Sequence, residues 1–165
     1  MALPRSSQNE VFTQLPRWDM ISQYDRELSR WLAAHARPGE MILPAIMTQT
    51  KLQPRTGHPV LMEAESLYLM SYMPSLAPAI GAMTRDLYGV DYADRDQIEH
   101  ISQNGRLGLS FPCWREAWKN RKRHEWQALG RKYGFRLALA PSEAPLDLPV
   151  VLPGPFWSLY EIPEN

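Results

Sequence analysis

His58, Glu63 and Glu65 stand close together in the sequence and are the first residues to weigh for chemistry. On an extended strand, Glu63 and Glu65 share a face, because side chains alternate. Two carboxylates on one face can divide general-acid and general-base work when their environments differ. Together with His58 they also offer metal ligands, but metal sites usually need three or four. No other acid/His cluster lies nearby, so a solvated strand face beside a turn is the favoured reading. His35, His100 and His124 are scattered, without the i, i+4 pairing of a zinc protease helix. His35 falls near a helix C-terminus, where it favours the dipole. Cys113 follows Ser110-Phe111-Pro112, near a helix start that would lower a thiol pKa. His124 is a possible partner that nothing places beside it, and a buried structural cysteine is favoured. Gly105-Arg106-Leu107-Gly108 does not lead from strand into helix as a phosphate loop must. No Gly-x-Ser-x-Gly elbow occurs. No metal and no cofactor are expected.

Lys119-Asn120-Arg121-Lys122-Arg123-His124 is the one basic cluster, flanked by Trp114, Trp118 and Trp126. Basic residues interleaved with aromatics can bind nucleic acid, anionic headgroups or sugars. The tryptophans recur at spacings that share one helical face, which makes them core and leaves the charges to solvent. Beside a membrane, Lys119, Arg121, Lys122 and Arg123 would be the contact with lipid phosphates, at about 1 kcal/mol per basic residue.

The elements that must position these residues follow from pattern. Ile21, Tyr24, Leu28, Trp31, Leu32 and His35 predict a helix over 22–36, with Ser22 as N-cap and Pro38-Gly39 as stop. Met41 to Met47 predicts a buried strand that ends or bulges at Pro44. Val60 to Glu65 reads as a second strand after the polar loop 48–59, and Ser66 to Tyr72 is ambiguous. Leu76, Ile80, Met83 and Leu87 mark a helix closed by Gly89. Asp94 caps a short helix through Gln103, and 107–112 reads as extended or irregular. Helix returns from Cys113 to Tyr133 with a break near Asn120, and Gly134 ends it. Phe135 to Ala140 is a strand, 141–155 a proline-rich loop, and 156–162 a final strand. The fold class expected is α/β: a small mixed sheet of about four strands with helices packed on it, three-layer or Rossmann-like. Residues 1–20 read as a flexible tether and 21–163 as one domain.

The chain has 165 residues, enough for one domain with a sizeable core. Its 18 basic and 18 acidic residues cancel, so net charge supplies no drive toward nucleic acid, and no nucleic-acid partner is expected. One cysteine allows no intrachain disulfide. The longest apolar runs fall well short of the roughly 20 residues of a membrane span, and residues 1–14 lack the apolar stretch of a signal peptide.

Trp31, Pro38-Gly39, Met41 to Leu43, Arg55-Thr56-Gly57-His58-Pro59-Val60, Lys132-Tyr133-Gly134, Leu137 to Ala140 and Phe156 to Ile162 together resemble a known layout. It is the C-terminal soluble domain of bacterial multi-pass membrane proteins that are glycosyltransferase-like in their membrane part. The resemblance covers 20–162. It implies a non-catalytic accessory domain on the extracytoplasmic, periplasmic face of the inner membrane. Its partners would be the membrane-embedded part of the same parent protein and a glycan or lipid-linked sugar. The acidic motif such enzymes carry in their first loop is absent here, so no catalytic residue carries over. In doubly wound sheets ligands bind beyond the strand C-termini. That rule selects Gln49, Lys51, Arg55, His58, Glu63, Glu65 and Ser142 as the candidate ligand-binding set. The alternative is a free-standing cytoplasmic small-molecule enzyme using His58, Glu63 and Glu65.

Overall fold

Four short strands of apolar, partly β-branched sequence form one mixed sheet in the computed structural model. The structure describes residues 23–45, 53, 56–62, 66, 69–94, 96 and 111–164. Helix α1 covers 23–35. Strand β1 (Met41–Pro44) follows it across the Pro38-Gly39 turn, where Gly39 takes a φ of 74°. A one-turn helix α2 (Leu69–Tyr72) and a 3-10 turn (Pro74–Leu76) lead into α3 (Ala77–Tyr88). Then come α4 (Phe111–Asn120) and α5 (Arg123–Tyr133), the broken pair expected around Asn120. The chain ends in β2 (Phe135–Pro141), β3 (Val150–Leu152) and β4 (Trp157–Glu161).

The sheet order is β1-β2-β4-β3. β1 and β2 run parallel, β4 is antiparallel to β2, and β3 is antiparallel to β4. Val60 adds a single parallel bridge to Ile42 on the outer side of β1, at the place where a second strand was expected. Glu63 and Glu65 lie outside the described residues. Two sequence expectations need correction. β3 sits inside the proline-rich stretch read as loop, because the exposed edge of β4 gives even three residues a ladder to join. Helix α4 starts at Phe111 rather than Cys113, since a proline in the first helical turn has no N–H to leave unpaired.

Alternation splits the strand side chains between two cores. Ile42, Leu137, Leu139 and Leu159 pack with Tyr24, Leu28 and Leu32 of α1. Leu43, Ala138, Ala140 and Tyr160 face Ile80, Leu87, Tyr88, Trp114, Trp118 and Trp126. Helices therefore cover both faces, giving three layers. The three tryptophans are fully buried, with Trp118 edge-on to Trp114 at 5.3 Å and to Trp126 at 5.2 Å between ring centroids. Gly89 and Gly134 end α3 and α5 in the left-handed conformation.

Candidate functional site

Arg136 gathers the densest set of charges among the described residues. It is the extra residue on β2: Met41 pairs with Phe135 and Ile42 with Leu137, so the ladder skips it. Such a bulge re-aims a side chain. Its guanidinium reaches Glu161 Oε1 at 2.7 Å, Glu40 Oε1 at 3.4 Å and Glu164 Oε1 at 3.4 Å. Glu40 is shielded from water, and its other oxygen accepts the Arg37 N–H at 2.9 Å. The network ties the start of β1 to the start of β2 and the end of β4.

Beside it, where α5 stops and β2 begins, lies a cleft of about 490 Å³ lined by Gln127, Gly130, Arg131, Phe135, Ile162 and Glu164, among others. Gly130 is required there, since a Cβ would stand 2.8 Å from the Phe135 carbonyl oxygen. The floor is apolar and the rim carries guanidinium, amide and carboxylate groups. This lining can hold a small molecule by packing and hydrogen bonding. Among the described residues that line it there is no hydroxyl or thiol nucleophile.

Of the ligand set expected from sequence, His58 and Ser142 lie among the described residues, and they stand at opposite ends of the sheet. His58 is buried at the starting end of the sheet, where its Nδ1 lies 3.0 Å from the Glu40 carbonyl oxygen. Ser142 is at the opposite end, just past β2. Its hydroxyl donates to the Gly154 carbonyl at 2.6 Å and sits 2.9 Å from Ser158 Oγ. Gln49, Lys51, Arg55, Glu63 and Glu65 lie outside the described residues, as does the side chain of Cys113 in the first turn of α4. Among the described residues no group of three His, Cys, Asp or Glu side chains could hold a metal ion.

The basic cluster occupies the corner between α4 and α5. Lys119, Lys122 and Arg123 are exposed. Arg121 turns inward. Its Nη1 donates to the Leu87 carbonyl at 2.9 Å and its Nη2 to the Asp86 carbonyl at 2.6 Å, and it stacks over Trp126. Arg121 thus caps the carbonyl end of α3, where a cation is favoured. On the same helix, Asp86 accepts from Lys132 Nζ at 2.5 Å and Tyr133 hydroxyl at 2.7 Å. These hydrogen bonds hold the Asp86 carboxyl below the usual carboxylate range.

One surface was not anticipated from sequence. Leu69, Tyr72, Met73 and Leu76 follow i, i+3, i+4, i+7 spacing, yet they are 42%, 81%, 49% and 38% exposed. Met70 packs inward against the core and anchors the turn that bears them. From Ser66 to Thr84 the chain carries no charged residue, and that run is the signal that could have marked this ridge. Among the described residues no helix is long and apolar enough to cross a membrane. Comparison with family models, with curated proteins and with solved structures returns no match.

Proposed function

We propose that this chain is a non-catalytic accessory domain that works by contact, as the extramembrane part of a bacterial membrane protein whose membrane portion is glycosyltransferase-like. The observation that carries the reading is the uncharged apolar ridge of Leu69, Tyr72, Met73 and Leu76. A contiguous exposed patch of this kind marks an interaction surface rather than ordinary surface scatter. Tyr and Met are enriched in interface cores and charge is depleted there, which is the composition of the ridge. The cleft beside Arg136 gives the same domain a place to recognise a glycan or the polar part of a lipid-linked substrate.

The test is an immunoblot of fractionated source cells with an antibody raised against this chain. The expected result is a band well above 19.0 kDa in the membrane fraction. A soluble band at 19.0 kDa would refute the reading.

A further inference from the structure

The ridge poses a specific question, which is what covers it. Its four side chains leave roughly 400 Å² of apolar surface, with Tyr72 alone near 150 Å². Two copies meeting ridge to ridge would bury about 800 Å² in total, below the roughly 1,200–2,000 Å² of stable interfaces. A second copy of the chain is therefore a poor occupant. A protein groove that accepts a helix reads anchors at i, i+3, i+4 and i+7 along one continuous helix. Here α2 lasts one turn and gives way at Met73 to a 3-10 turn that starts at Pro74, so the four side chains do not share one continuous α-helix. Met73 still donates its N–H to the Leu69 carbonyl at 2.7 Å, so the projecting corner is held in shape.

A lipid surface asks for less. It requires a few projecting apolar side chains and no shape complement. It also requires that neighbouring groups carry no charge that would be stripped of water. Pro74, Ser75, Pro78 and Ala79 are exposed around the ridge, and none is charged. Tyr72 suits the boundary itself, with its ring among acyl chains and its hydroxyl at headgroup level.

We propose that Leu69, Tyr72, Met73 and Leu76 insert into the interfacial layer of a lipid bilayer and set the orientation of the domain against it. The inference rests on the reading of the chain as a domain seated beside a membrane, and it names the surface that faces the lipid. Insertion of uncharged side chains draws on apolar burial, so it is insensitive to salt and to lipid charge.

The experiment is flotation of the 165-residue chain with phosphatidylcholine vesicles at low and high salt. Binding at both salts is expected. The double variant Tyr72→Ser, Met73→Ser should weaken it about tenfold or more. Leu69→Ser, Leu76→Ser serves as an independent second variant, and circular dichroism confirms that both fold. Binding confined to anionic vesicles, removed by salt and by Lys119→Gln, Lys122→Gln, Arg123→Gln, would overturn the proposal in favour of the basic corner. No vesicle binding, with a dimer that Tyr72→Ser dissociates, would overturn it in favour of a second copy. No vesicle binding by a monomer whose ridge variants lose capture by a detergent-solubilised parent protein would assign the ridge to a protein partner. A soluble 19.0 kDa band in cells retires the parent-protein reading while leaving vesicle binding to stand or fall alone.

Discussion

Leu87, in the last turn of α3, has a carbonyl oxygen with two donors. Trp118 Nε1 donates at 2.7 Å and Arg121 Nη1 at 2.9 Å. A helix end leaves its last carbonyls without intrahelical partners. The Arg85 and Thr84 carbonyls are taken by the N–H groups of Gly89 and Val90. Those of Asp86 and Leu87 depend on side chains from the α4 region. Trp118→Phe keeps an aromatic body in the core and removes one donor. It should cost about 1–3 kcal/mol, combining lost packing with one net hydrogen bond. Arg121→Met removes the other donor and frees the Asp86 carbonyl, again about 1–3 kcal/mol. Each single variant leaves Leu87 with one partner. The double variant leaves it with none in a buried place, adding about 1–2 kcal/mol beyond the sum. The Arg121 stacking over Trp126 does not enter this coupling, because Trp126 is unchanged throughout the cycle. The assay is urea unfolding followed by far-ultraviolet circular dichroism, which does not rely on the removed tryptophan. Additivity within about 0.5 kcal/mol would refute the shared-acceptor argument. Arg121→Lys is a useful companion: it keeps the charge but cannot bridge two carbonyls in a fork, so it should recover only part of the loss.

Three further predictions test other parts of the fold. Asp86 has a depressed folded pKa, so its contribution is complete above the unfolded value of about 3.9 and is lost as pH falls through the folded pKa; Asp86→Asn should flatten the acid side of a stability–pH curve, and an unchanged acid limb would count against the Lys132 and Tyr133 hydrogen bonds. Gly89→Ala and Gly134→Ala both force a side chain into a left-handed backbone, at about 1–2 kcal/mol, but only at Gly89 would the new Cβ meet Ala117 Cβ at 2.9 Å; thermal melts should rank Gly89→Ala clearly lower, and equal melts would deny the close approach of α3 and α4. The buried Tyr24 hydroxyl has no hydrogen-bond partner among the described residues, and burial pushes its pKa well above the tyrosine range; Tyr24→Phe should leave stability unchanged or raise it by up to about 1–2 kcal/mol, whereas a loss above about 1 kcal/mol on denaturant unfolding would mean the hydroxyl is satisfied.

Helix ends were the most legible part of the sequence, because glycine stops and strand starts are local. Gly134 after Tyr133, then Phe135 to Ala140, reads correctly from neighbouring residues alone. Arg121 does not. Within a basic run it looks solvated, and its role comes from α3, which precedes it by more than thirty residues. The ridge misleads in the opposite way. Apolar residues at i, i+3, i+4, i+7 announce a covered face, but the pattern is silent about what covers it. Tyr72 carries the same pattern as Leu87 and has the opposite exposure.

The open cleft at one end of β2 and the covered other end have one topological cause. A crevice beyond the strand C-termini needs parallel neighbours whose following loops diverge. Among the described strands β1 and β2 are the parallel pair, with the single Val60 bridge outside β1. The next neighbour, β4, is antiparallel and delivers its own beginning to the end of β2, pairing Trp157 with Pro141. Ser142 then bonds Gly154, and a Cβ on Gly154 would stand 2.3 Å from the Tyr24 ring. The β3–β4 connection therefore packs over the end of β2, against Ser142 and the Tyr24 ring. At the other end β4 terminates and α5 has stopped at Gly134. The bulge at Arg136 turns a cation outward there, and the space between them stays open. The antiparallel neighbour thus closes one end of β2 and leaves the cleft, with its carboxylates and guanidinium groups, at the other.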